Sequence, residues 1–225
     1  MTANLLTFPS TFEPTGFYTA SEASRIARVP RGRIYAWRRE GILLPTISLI
    51  EDGRETTGYT FQALVYMRLL RMLRDQGVAL IDAVGVIKHL RDRFGPPGAS
   101  WQDARIFLDG GHVYADRQDP WEVTDSSVGG QRIAPTLMGD DFARLRDRAD
   151  ALLIPQRYEA HVEIDPLARS GRPIVRGSTI ETGVLHRLRQ RGLSNSRIRQ
   201  MYPHLSPEQI RGAIAFERYL DAEAA

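Results

Sequence analysis

Along residues 17 to 41 apolar positions recur every three or four residues with a single interruption, which predicts two short helices in tandem. In "YTASEASRIA" the residues Ala23, Ile26 and Ala27 fall on one helical face. Thr19 with Glu22 three places on spells a capping box, in which the hydroxyl caps the Glu22 amide and the carboxylate reaches back to the Thr19 amide. Pro30 suits the first turn of the second helix, whose inward face is Ile34 and Trp37 with Tyr35 as a further candidate, and Gly41 ends it. Joined by the short Arg28-Val29 connection, the pair predicts a helix-turn-helix. The run "LLPTISLIEDGRETTGY" then reads as a hairpin about Asp52-Gly53, a dipeptide whose turn matches the twist of paired strands. A hairpin in that position is a wing. Phe61, Leu64, Val65, Leu69 and Met72 predict a helix over 60–74, "LIDAVGVIKHL" predicts another after Gly77, and "FGPPGAS" marks a domain boundary near residue 95.

Beyond that boundary the period becomes alternating. "ARIFLDGGHVYADR" gives two short strands about Gly110-Gly111, and "WEVTDSSVGGQRI" offers a third. In "GDDFARLRDRADALLIP" a cap at Asp140 or Asp141 precedes Phe142, Leu145, Ala149 and Leu152 at helical spacing, a narrow apolar seam better suited to the chain's own core than to a partner helix. The C-terminal part starts extended and ends in three helices, 181–191, 195–201 and 207 to about 220. Gly192 closes the first, Ser194 caps the second, and Ser206 with Gln209 forms a capping box over Pro207 at the start of the third. The expected fold class is mainly α with small β elements. Its parts are a polar leader at 1–16, a winged helix-turn-helix at 17–95, a β-rich segment at 96–137, an amphipathic helix and linker at 138–160, and a trihelical, helix-turn-helix-like domain at 161–225.

Charge sharpens this division. Of 30 basic residues only Lys88 is a lysine, so the arginine excess alone could reflect coding bias, and its distribution says more. Residues 25 to 40 hold six arginines against Glu40, residues 100 to 125 hold six acids against Arg105 and Arg117, and residues 169 to 220 hold ten arginines against three glutamates. A basic, acidic, basic chain has separate surfaces for separate partners, and the basic ones suit phosphate backbones. Cysteine is absent, which excludes a disulfide framework, a thiolate nucleophile and a thiolate metal site. No apolar run is long enough to span a bilayer, and "MTANLLTFPSTFEPTG" lacks the basic start and apolar core of a signal peptide, so a cytoplasmic location without a membrane partner is expected.

Candidate chemistry is sparse. His161, Glu163 and Asp165 alternate in "HVEID" and could hold a divalent metal or exchange protons, but the other histidines have no ligand spacing, so an exposed strand edge is the favoured reading. No Gly-rich phosphate loop follows a strand and no nucleophile elbow is present. Neither an enzyme nor a cofactor is expected. The arginines Arg31, Arg33, Arg38 and Arg39 could form an ordinary solvated helix face, yet their place on the second helix of a helix-turn-helix before a wing favours DNA binding.

The first 95 or so residues resemble the DNA-binding domain of the MerR family, through "YTASEASRIARV", the Gly41 to Pro45 run, Gly58-Tyr59 with Phe61, and "LRMLRDQGVAL". That resemblance implies a winged helix that binds DNA as a homodimer. It places Arg31, Arg33 and Tyr35 on the base- and phosphate-facing side, Trp37 and Arg38 beside the backbone, and Thr19, Arg25, Arg39, Arg54 at the wing tip and Tyr59 in the DNA-facing set. The family usually has arginine where Tyr35 and Thr60 stand, and the long dimerising helix and sensor cysteines of its usual regulators are missing.

The tail is similar to a small domain assigned to antitoxins of PIN-like ribonuclease toxins, through Asp165-Pro166, Gly171-Arg172-Pro173, Arg176-Gly177, Gly-Leu-Ser at 192–194 and Tyr202-Pro203. Head and tail together resemble a VapB-type antitoxin. The resemblance implies operator DNA and a cognate PIN-like toxin as partners, with Arg172 and Arg176 entering the toxin's acidic, metal-holding site. The other expectation is a one-component regulator whose middle β region binds a small ligand.

Overall fold

A computed structural model of the chain describes residues 16–45, 47–51, 54–97, 106–109, 112–115, 136–137 and 148–224. They fall into two units, residues 1–69 with 150–225 and residues 70–149.

The first unit opens with helices α1 (Ala20–Ala27) and α2 (Arg31–Arg39). The predicted capping box is formed: Thr19 Oγ1 accepts from the Glu22 amide at 3.3 Å, and Glu22 Oε2 accepts from the Thr19 amide at 2.9 Å. Arg28 ends α1 in the left-handed conformation, and Pro30 stands at the N-cap of α2 rather than inside its first turn. Gly41, at φ +70°, closes α2. Its amide donates to the Arg38 carbonyl and the next amide, Ile42, to the Trp37 carbonyl at 2.9 Å, the paired bonds of a Schellman ending. Strands β1 (Ile47–Glu51) and β2 (Arg54–Gly58) pair antiparallel with Glu51 opposite Arg54, the predicted wing, while Asp52 and Gly53 between them lie outside the described residues. Tyr18 bridges Tyr59, so the lead-in strand extends the wing. Helix α3 (Phe61–Asp75) follows, capped by Thr60, whose hydroxyl accepts from the Ala63 amide at 3.1 Å. Where the resembled family places an arginine, this chain uses a helix cap.

The tail joins the same unit. Strands β6 (Val162–Glu163) and β7 (Ile174–Val175) pair antiparallel, and helices α5 (Thr182–Gln190), α6 (Asn195–Met201) and α7 (Pro207–Ala224) pack around Val175, Leu185, Ile198, Leu205, Ile210, Ala213 and Ile214. The Ser206–Gln209 capping box is present, with both bonds at 2.9–3.1 Å.

The head as far as Leu69 and the tail from Asp150 onward form one unit, so the expected parts 17–95 and 161–225 pack on one another through these segments. The phenol of Tyr18 donates to the Gly171 carbonyl at 2.5 Å, the Phe17 amide to the Ser170 carbonyl at 3.1 Å, and α1 packs on α7. Of the amphipathic helix and linker expected over 138–160, the described part holds two 3-10 turns, Ala149–Leu152 and Gln156–Tyr158. Pro155 removes an amide donor and pushes Ile154 away from helical geometry, so an α-helix cannot cross it. Its seam residues Phe142 and Leu145, the candidate caps Asp140 and Asp141, the leader and the "WEVTDSSVGGQRI" strand lie outside the described residues.

In the second unit, α4 (Leu80–Phe94) buries Ala83, Val84, Val86, Ile87 and Leu90 and packs against β4. Strands β3 (Ile106–Asp109) and β4 (His112–Ala115) form the hairpin predicted about Gly110-Gly111, and β5 (Thr136–Leu137) pairs with β3 on its other side.

Candidate nucleic-acid interface

Helix α2 divides sharply by exposure. Ile34 and Trp37 are buried at 0% and 2%, which anchors the helix, while Arg31, Arg33, Tyr35, Arg38 and Arg39 are exposed. Arg31, Tyr35 and Arg38 follow one another by four and three residues, so they form a stripe along the outer face. None of the four arginines makes an ion pair or side-chain hydrogen bond among the described residues. No acid stands in the first turn of α2, where a helix dipole favours one, and Arg31 and Arg33 occupy it instead. Unpaired guanidiniums at a helix start form a surface suited to anions, and guanidinium geometry matches both phosphate oxygens and guanine edges.

Tyr59 lies behind this stripe. It is 2% exposed, and its hydroxyl is buried without a hydrogen-bond partner among the described residues. Burial pushes the phenol above its ordinary value, the Arg38 guanidinium pulls it partly back, and Tyr35 adds to the rise. Tyr59 is therefore a support for the face formed by Tyr35 and Arg38 rather than an exposed contact. Gly58, just before Tyr59, leaves room for the Phe17 ring, since a Cβ there would lie 2.3 Å from that ring.

Several sequence-predicted residues are placed elsewhere. Arg25 turns to α7, where it pairs with Glu217 at 2.5 Å and Asp221 at 2.8 Å. Burial works against its charge, but Glu217 and Asp221 outweigh that and hold the guanidinium above its usual value. It leaves the DNA-facing set for that reason. Trp37 is core and not beside a DNA backbone. Thr19 is engaged in the cap of α1, and the Arg54 side chain lies outside the described residues.

In the tail Arg176 spends its donors internally, on the Glu159 carbonyl at 2.5 Å, the Val162 carbonyl at 3.1 Å and the Glu163 carboxylate at 3.2 Å. It fastens β6 to β7 and is withdrawn from the toxin-facing pair. Arg172 stays half exposed and only loosely paired, 3.5 Å from Glu22 and 3.9 Å from Glu181. The His161, Glu163 and Asp165 set is dispersed: His161 packs under Gly212, Glu163 holds Arg176, and Asp165 accepts from the Leu167 amide at 2.8 Å. Among the described residues no group of three His, Cys, Asp or Glu side chains could hold a metal ion.

Sequence reasoning missed Arg28, Glu217 and His186. Arg28 is buried and donates to the Leu152 carbonyl at 2.5 Å and to the Tyr219 hydroxyl at 2.6 Å. Glu217 is 2% exposed and accepts from both Arg25 and the Thr182 hydroxyl. Its one sequence signal was an acid at an otherwise apolar position of α7, between Phe216 and Leu220. Beside it lies a cavity of about 480 Å³ lined by Glu22, Arg25, Glu181, His186, Arg187 and Asp221.

A family model described as "MerR HTH family regulatory protein" matches residues 18–93, which contain the stripe and the wing. Residues 18–93 are a MerR-family helix-turn-helix domain. A second model, described as "Protein of unknown function (DUF433)", matches residues 162–216, most of the tail beyond this MerR-type domain. The chain is 26% identical over 116 residues, 52% of its length, to the uncharacterized HTH-type transcriptional regulators Mb1861 of Mycobacterium bovis and Rv1830 of Mycobacterium tuberculosis. It spans about half the length of these curated relatives, 50% of each. The crystal structure of Rv2018 from Mycobacterium tuberculosis shares the fold at a TM-score of 0.56 and 17% identity, over 88% of this chain and 96% of that one. No helix among the described residues is long and apolar enough to cross a membrane.

Proposed function

We propose that the chain is a DNA-binding transcriptional regulator that presents α2 of its MerR-type domain to operator DNA as a homodimer. The observation that carries this reading is the stripe of Arg31, Tyr35 and Arg38 with Arg33 and Arg39 beside it, exposed and without acidic partners beside a wing. Arginine supplies phosphate contacts and guanine recognition, while Tyr35 offers an aromatic face or a hydroxyl where the family usually offers a further charge. The test is a fluorescence-anisotropy titration on the upstream region of its own gene. Arg31→Ala/Arg33→Ala loses affinity, and because each lost phosphate contact removes about 0.9 from the salt slope, a fall of roughly 1–2 is expected. Failure of the unaltered chain to bind any duplex at low salt overturns the reading.

The finer role we propose is that of an antitoxin, whose tail engages a PIN-like ribonuclease and whose head autoregulates the gene pair. The tail's resemblance supports it, and Arg172 is the residue still free enough to reach an acidic site. Co-expression with the neighbouring gene product tests it: if Arg172→Ala neutralises the toxin as well as the unaltered chain, Arg172 has no such part. A second reading, a regulator that responds to a small ligand, is favoured by the cavity of about 480 Å³ beside α1, a volume within the range of small-molecule sites. Its charged lining suits a polar ligand better than an apolar one.

A further inference from the structure

The tail carries a second surface with the features that mark α2. From Thr182 to Pro207 the chain has no acidic residue, yet it holds Arg187, Arg189, Arg191, Arg197 and Arg199. All five are exposed. None forms an ion pair among the described residues; Arg189 donates to the Leu193 carbonyl at 3.1 Å and Arg197 to Gln200 at 2.8 Å. Arg172, Arg176 and Arg211 of the tail behave differently, since each faces a glutamate.

The backbone arranges this charge on a helix pair. Gly192 at φ +90° turns the chain sharply after α5, Ser194 caps α6 by accepting from the Arg197 amide at 3.2 Å, and α6 packs on both α5 and α7. Ile198 is the one buried side chain of α6, held in the cluster with Leu185, Leu205 and Ile210. A helix anchored by a single residue leaves the rest of its circumference to solvent. Here that surface offers Asn195, Arg197, Arg199 and Gln200, side chains that pair with adenine and guanine edges as well as with phosphates.

We propose that the α5–turn–α6 pair is a second duplex-DNA contact surface, so that one chain touches two stretches of its operator. The proposal rests on the DNA-binding reading above. The ordinary explanation, arginines kept for solvation, accounts for exposure but not for the absence of any compensating acid over 26 residues. Like charges held together repel, and a polyanion relieves that repulsion while releasing its own counterions. Duplex DNA is the occupant argued for because the pair belongs to the same unit as α2 and the wing, and a duplex engaged by α2 brings further phosphates within reach of that one body. An acidic protein is the competing occupant.

The experiment uses the full chain, labelled duplexes of increasing length, and three variants. Arg197→Ala/Arg199→Ala is expected to weaken binding to long duplexes about tenfold and to lower the salt slope by roughly 1.8, two phosphates at about 0.9 each. Arg197→Lys/Arg199→Lys keeps the slope. A hydroxyl-radical footprint loses a protected tract that Arg31→Ala/Arg33→Ala leaves in place. All four substituted side chains are exposed, so unchanged thermal melting verifies that each variant folds. If the unaltered chain binds DNA and only the α2 variant is impaired, this proposal fails alone. If the unaltered chain binds no DNA, the functional reading fails and takes this one with it. Unchanged DNA binding with lost neutralisation of a co-expressed toxin gives the surface to an acidic protein and also overturns the proposal.

Discussion

Arg25 and Arg28 lie on and at the end of α1, and over the nine residues of α2 the chain places Arg31, Arg33, Arg38 and Arg39. The first pair turns inward to the tail, where Arg25 meets Glu217 and Asp221, and Arg28 meets the Leu152 carbonyl and Tyr219. The four on α2 meet no carboxylate among the described residues and stand in solvent. Side chains of the same type therefore serve as staples in one helix and as an open cationic face in the next. What differs is the company each keeps: acceptors presented from far along the chain, two carboxylates for Arg25 and a carbonyl and a phenol for Arg28, or none. Stapling arginines should answer to melting experiments and open ones to salt and DNA, and each variant below tests whether that division holds.

The largest effect on the stapling side is expected at Arg25. Its removal leaves Glu217, 2% exposed, as a buried carboxylate whose remaining hydrogen bond comes from Thr182. Breaking a buried pair from one side costs several kcal/mol, and because Arg25 is itself partly solvated the lower end, about 3 kcal/mol, applies. For a unit of this size the melting temperature falls by roughly 6–12 °C. Adding Glu217→Gln to Arg25→Ala should recover part of the loss, since the stranded group is then uncharged. An Arg25→Ala chain that melts like the unaltered protein would show that the pairing contributes nothing to stability.

A smaller loss is expected at Tyr18, whose phenol donates to the Gly171 carbonyl. Tyr18→Phe leaves that carbonyl buried and unpaired, which costs about 1–2 kcal/mol. Burial, then Glu22 and Asp165, push the phenol well above its ordinary value, so the folded chain keeps a proton that the unfolded chain gives up near about pH 10. The sign follows: this contribution is complete below about pH 10 and is lost as the pH climbs from there toward the folded value. Urea unfolding at about pH 8 and about pH 11 should show a weaker alkaline decline in Tyr18→Phe than in the unaltered chain. Equal declines would mean that the contact between lead-in strand and tail does not depend on this proton.

The parts legible in the sequence were those specified by neighbours. Thr19 with Glu22, Gly41, and Ser206 with Gln209 each fix a helix end through bonds spanning three to five residues, and the helices follow from them, while the predicted wing is present as the β1–β2 pair. The exposed arginines of α2 followed as well, because Ile34 and Trp37 had to face inward, whereas Tyr35, an inward candidate by spacing, stands exposed. Partners far apart in the chain were not legible. Arg25 and Glu217 are separated by 192 residues, and no local pattern distinguishes Arg25 from Arg31. Tyr59 was misplaced for a related reason: its motif suggests a contact, but the backbone bridge to Tyr18 draws it into the core. Arg176 was likewise read from a motif whose physical sense, the clasp on Glu159, Val162 and Glu163, emerges only once β6 and β7 are paired.

The smallest effect is expected at Arg211, which belongs to neither class. It pairs with Glu208 three residues before it at 2.7 Å, with both side chains more than half exposed. The Glu208 carboxyl is held below its usual value first by its own backbone amide and the Ser206 side chain and then by Arg211, so it stays ionised when Arg211 is removed. Exposed pairs of this kind add little to stability, and melting of Arg211→Ala should match that of the unaltered chain. Its DNA behaviour carries the information, since Arg211→Ala lowers the charge of the tail by one but takes no cation from the acid-free stretch between Glu181 and Glu208. If affinity follows a defined face, the salt slope is unchanged. If Arg211→Ala lowers the slope by about 0.9, half the effect expected of the α6 double variant, DNA senses the net charge of the tail and the distinction between paired and open arginines loses its meaning there.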